Sequence, residues 1–146
     1  MSWKQRSIGV LVFAAIVGCS DSTGVEIADL TGTWNATVVE FTNPANTAVK
    51  FELINEGGSL SLVVAANGDY TLNVLFPGDP VEVQQGTIGI VGNVLTLSET
   101  GQGSPTDFVF TLSGNTLTLT TNDVEFDFDD DGTDEPASLR IVFQRQ

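Results

Sequence analysis

From Leu30 to the end of the chain, apolar and polar residues alternate with a period of two. That period puts successive side chains on opposite faces of an extended strand, one oily and one wet. Trp34, Ala36 and Val38 alternate with Thr33, Asn35 and Thr37. Val39 and Phe41 then fall on the other phase, and a bulge near Val38 reconciles the two halves. Further alternating runs cover 49–53, 60–64, 70–76, 81–91, 94–98 and 107–112. Leu117 and Leu119 follow among threonines, and the phase flips again near Asn122, giving Val124, Phe126 and Phe128. Leu139, Ile141 and Phe143 form the last run.

Turn signals separate these runs. They are Asn43-Pro44-Ala45-Asn46, Gly57-Gly58, Asn67-Gly68, Pro77-Gly78-Asp79-Pro80, Gly92-Asn93, Gly101 to Pro105 and Ser113-Gly114-Asn115. Asn-Gly between two alternating runs is a strong hairpin signal, because both residues tolerate positive φ. No stretch after residue 18 shows helical periodicity. Short turns between consecutive strands make neighbours antiparallel, and so many strands must close or stack to hide their edges. The sequence therefore predicts an all-β domain, an antiparallel up-and-down barrel of eight to ten strands, with a two-sheet sandwich as the alternative. The expected inward set is Trp34, Leu60, Leu62, Tyr70, Leu72, Phe76, Ile88, Leu97, Phe108, Phe110, Leu117, Phe126, Phe128, Ile141 and Phe143. These side chains are bulky and almost all apolar, which predicts a packed interior and only a small or apolar ligand.

The pattern before Leu30 is different. Lys4 and Arg6 precede an uncharged apolar run at 8–17, the layout of a secretory signal peptide and too short for a bilayer core. The run ends at Ile16-Val17-Gly18-Cys19, and Cys19 is the only cysteine. These four residues resemble the bacterial lipoprotein signal. The resemblance implies cleavage after Gly18, a diacylglycerol on the Cys19 thiol and often an acyl chain (such as palmitate) on its amine. Two or more chains give stable anchoring, at about 0.8 kcal/mol per buried CH₂. Ser20 in place of the Asp that marks inner-membrane retention in that family implies the outer membrane. The expected organisation is then a signal peptide at 1–18, a lipidated Cys19 with a flexible polar tether at 19–29, and a barrel domain at 30–146.

Composition narrows the function. Removing the leader leaves Lys50, Arg140 and Arg145 against nineteen acidic residues. So acidic a surface repels phosphate backbones, which excludes nucleic acid as a partner. There is no histidine, and acylation leaves no free thiol, so Ser-His-Asp and Cys-His catalysis and the usual zinc sites are excluded. Carboxylate-pair chemistry needs two acids at a set spacing in a cleft, and most acids here alternate outward. The expectation is a non-enzyme.

At Gly32-Thr33-Trp34 the chain resembles the lipocalin-like family, where a Gly-x-Trp opens the first strand and its indole closes one barrel end. The hairpins at 67–72 and 92–97 are similar to those of small lipocalin-like domains in bacterial lipoproteins. The resemblance implies a membrane-anchored envelope protein that binds a small apolar ligand or a protein partner. A structural envelope protein with a filled barrel and no ligand is the alternative.

The sharpest chemical signal is Asp127-Phe128-Asp129-Asp130-Asp131-Gly132-Thr133-Asp134-Glu135. It matches the first half of an EF-hand loop, with Asp127, Asp129 and Asp131 two residues apart and a glycine to turn the chain. On that template a Ca²⁺ ion takes side-chain oxygens from these three, a backbone carbonyl from Thr133 and a further ligand from Glu135. Ser138 stands where the bidentate glutamate belongs, and the flanks are strands, so the expectation is an EF-like loop of weak affinity.

Overall fold

The computed structural model describes residues 24–146 together with the backbone of Lys4 and Gln5. The expected leader and cleavage site, with Cys19, otherwise lie outside the described residues. The elements are β1 (Lys4–Gln5), α1 (Ile27–Leu30), β2 (Gly32–Thr42), β3 (Lys50–Glu52), β4 (Ser59–Val64), β5 (Asp69–Leu75), β6 (Glu82–Val91), β7 (Val94–Glu99), β8 (Thr106–Ser113), β9 (Thr116–Phe126) and β10 (Glu135–Arg145).

Eight of these strands close a ring. β2 pairs with β4, each strand from β4 to β9 pairs with the next, β9 pairs with β10, and β10 returns to β2. Every pairing is antiparallel and joins consecutive ring strands, so the fold is a closed up-and-down barrel, and a two-sheet sandwich is ruled out. β3 is extra and pairs with the end of β2. β1 adds two residues to the outer edge of β9.

Both expected phase breaks are present as irregularities in the ladders. Between β10 and β2 the register shifts at Val142/Phe143, so that Val142 faces Val38 and Phe143 faces Ala36. Thr37 is the extra residue, and Trp34 and Phe41 both reach the core despite opposite parity. The second shift lies at Ala137/Leu139, opposite residues 121–124 of β9.

The core is one contiguous cluster running from Leu30 to Phe143. It includes every expected inward residue except Phe128, which is half-buried. Phe128 yields its place to Asp127, because β9 ends at Phe126 and the alternation stops with it. One end of the barrel holds α1, the tight turns at 65–68, 92–93 and 114–115, and the C-terminus. The other end, the mouth, carries the longer loops. At the mouth, Phe41, Phe51 and Phe126 stack, with centroids 4.5 Å apart for Phe41–Phe126 and 4.9 Å for Phe51–Phe126.

Residues 20–29 are not all tether. Glu26 and Asp29 form a reciprocal capping box around one turn of helix, and Leu30 at its end is fully buried. The helix is only four residues long. It exists because its last residue plugs the barrel, a tertiary reason that no helical period announces.

Candidate functional site

Three places carry chemistry: the closed end, the inner wall on β5–β7, and the acidic loop at the mouth.

At the closed end the Trp34 side chain is fully buried, and its indole N–H donates to the Leu30 carbonyl at 2.8 Å. The Arg145 guanidinium lies 4.1 Å from the indole ring centre. It also donates to the carbonyls of Thr31, at 2.7 Å, and Asp29. One cation therefore stacks on the tryptophan and gathers the carbonyls that the short helix leaves without partners. Trp34 here is structural. Arg145 was not singled out from the sequence, although its parity in β10 continues the inward run of Leu139, Ile141 and Phe143, and a charged residue on that phase was the signal available.

The inner wall is less apolar than the alternation predicts. Tyr70 and Gln84 are buried, and Glu82, on the same face of β6 as Gln84, accepts a hydrogen bond from the Gln84 amide at 3.2 Å. Glu99 is half-buried at the end of β7. Burial, with the nearby Glu82 carboxylate adding to it, pushes the Glu99 carboxyl above its ordinary value. Burial, and then the Glu99 charge, push the Tyr70 phenol up to about 12. Tyr70 is thus a neutral hydroxyl at physiological pH. Gly86 faces both Tyr70 and Glu99 across the ladders. A Cβ there would lie 1.9 Å from the Ser98 carbonyl oxygen, so only glycine lets the β7 backbone come this close.

The acidic loop is held by its own backbone. Asp127 is buried, and its two carboxylate oxygens accept the N–H groups of Asp131 at 3.2 Å and Gly132 at 2.9 Å. Glu135 accepts the Phe128 N–H at 3.1 Å. Asp130 and Gly132 take positive φ, of 58° and 87°, which turns the loop back on itself. Asp127, Asp129 and Glu135 each bring a carboxylate oxygen within 4.8 Å of the others. Asp131 is not one of this group; its side chain accepts the Thr133 N–H at 2.8 Å. Of the five residues expected at the ion, the structure gathers three carboxylates, and Thr133 is engaged through its amide. The gathered oxygens suit a hard cation, which takes six to eight oxygens with water filling what the protein does not supply.

Beside the loop, an open cleft of about 310 Å³ has a floor of Phe51, Phe76 and Pro77 and a rim of Glu56, Asp79 and Asp130. No protein-family description matches the chain, and no curated protein shows significant similarity to it.

Proposed function

We propose that the protein is a lipid-anchored module of the cell envelope, with a lipocalin-like barrel that works by binding and not by catalysis. The anchor is an acylated Cys19, and the leader before it is removed. The outer membrane is the membrane concerned.

The observation that bears most on the mode of binding is the continuous apolar cluster filling the barrel. A carrier needs room inside, and pockets for small molecules are typically about 300–1,000 Å³. Side chains this closely stacked favour recognition at the surface, with a protein partner as the ligand. A second reading, a small apolar ligand, is favoured by the mouth cleft with its aromatic floor of Phe51 and Phe76. The acidic loop is proposed to bind Ca²⁺ through Asp127, Asp129 and Glu135. The ion would relieve repulsion among these carboxylates and staple the β9–β10 connection.

Native mass spectrometry of the protein purified from its own membrane tests these readings together. The expected spectrum shows an acylated Cys19 as first residue and no stoichiometric small molecule. An unmodified N-terminus would overturn the anchor, and a co-purified apolar compound would replace the partner reading with the ligand reading.

A further inference from the structure

We propose that the outer edge of β9 at Val124–Glu125 is an acceptor for an extended, basic peptide strand. Three observations meet there. The β8–β9 ladder stops at Val109 and Thr120, while β9 continues to Phe126, paired on its other side with β10. Past that point the two strands diverge, and a cleft of about 280 Å³ opens, lined by residues that include Asp107, Val109, Thr120, Thr121 and Asn122. The edge already receives a strand: the backbone of Lys4 and Gln5 pairs antiparallel with it, Lys4 opposite Glu125 and Gln5 opposite Val124. The ring closes without these two residues, so removing them leaves the barrel intact and the edge open.

The backbone geometry says which position does the accepting. On the β10 side, Glu125 faces Pro136. Proline has no N–H to donate, so it sits in a ladder where none is needed. Glu125 is therefore the residue whose own N–H and C=O turn to the open side, and Lys4 is the position that meets them. Adding a strand to such an edge gains main-chain hydrogen bonds for any extended sequence, and side chains set the preference. Here Asp123 and Glu125 frame the edge on a chain with a net charge of −14. Two copies meeting edge to edge would oppose carboxylate to carboxylate, whereas a basic strand is attracted. The occupant is a lysine- or arginine-bearing extended segment of another protein, and in the unprocessed chain it is the chain's own residues 4–5. This inference rests on the proposed removal of the leader but does not require the lipid anchor.

The test uses a fluorescent synthetic peptide with the sequence of residues 1–7, titrated by anisotropy into chains beginning at Cys19 and into the full chain. Saturable binding is expected to the shorter chain and at least tenfold weaker binding to the full chain, whose own strand competes. N-methylation at the Lys4 position, which removes the donor facing Glu125, should weaken binding tenfold or more, while N-methylation at Gln5 should change it less than twofold. Exchange of the Glu125 amide should slow on binding. Two methylated peptides that bind alike would reduce the effect to charge attraction and overturn the strand pairing, as would the absence of saturable binding.

Discussion

At the scale of single residues, the closed end depends on one arginine that stands on the inward phase of the last strand. Arg145 covers the Trp34 ring and binds the carbonyls of Asp29 and Thr31. Arg145→Leu keeps the apolar stem but strands those carbonyls. The expected loss is about 2 kcal/mol in denaturant titration, from the stacking and the charged hydrogen bonds together. A loss below about 0.5 kcal/mol would mean that the guanidinium is not holding the helix. Gly86→Ala places a methyl against the Ser98 carbonyl, and the backbone has to move to admit it. Overpacking of this kind costs about 1–3 kcal/mol, and a neutral substitution would show that the two strands lie further apart. Glu99 gives a pH signature. Its carboxyl is raised in the folded chain, so the folded state holds this proton longer than the unfolded chain does. The contribution of this group is unpenalised below the ordinary value of 4.5 and becomes unfavourable as pH rises through the raised folded value. Glu99→Gln should therefore melt higher than the parent at neutral pH, and the difference should vanish below about pH 4. A gap that persists in acid would place its cause elsewhere.

Among the elements, β2 and β9 show how a strand changes partners. β2 pairs with β4 over its first half and with β3 at its end. Between them the Val39 N–H is taken by the Glu52 carboxylate at 2.7 Å, and the same carboxylate accepts the Asn55 N–H at 2.7 Å. The carboxylate, with the Val39 carbonyl accepting the Leu53 N–H at 2.9 Å, thus does what a continuous ladder would otherwise do. The acidic loop belongs to this scale because it is the connection from β9 to β10. Millimolar Ca²⁺ is expected to raise the melting temperature, and Asp127→Asn or Asp129→Asn to remove the rise. Asp131→Asn should retain most of it, since that side chain serves Thr133. An equal loss from all three would restore the EF-like ligand set expected from the sequence, and the absence of any rise would end the calcium reading.

On the scale of the whole molecule, the two ends of the barrel differ. The described chain enters at the closed end, and Cys19 stands five residues before Gly24. Those residues span at most about 18 Å, so the acylation proposed at Cys19 would hold the closed end near the bilayer. Glu82, Glu125 and the 127–135 run lie toward the mouth, and anionic lipid heads repel that end. In vesicles with nitroxide-labelled lipids, a fluorophore on Asn93→Cys of the lipidated protein should be quenched and one on Gln102→Cys should not. Equal quenching would show that the barrel has no fixed orientation. Much of this architecture was legible from alternation alone: the strands, both phase breaks and nearly all of the inward set. The acidic loop was legible as a cluster; that Asp129 and not Asp131 lies close to Asp127 and Glu135 was not, because the positive φ of Asp130 and Gly132 decides which way each side chain is aimed.

Side-chain alternation is a property of consecutive residues, and so is the turn chemistry of Asn67-Gly68. The sequence by itself therefore determined an all-β chain, its hairpins and the places where a strand must bulge. Which distant groups meet was decided only by the tertiary structure. The stagger of one strand on the next brings Arg145 over Trp34, sets Glu99 beside Tyr70, and ends β8 short of β9. That stagger is fixed by closing the ring, a condition on all eight strands at once.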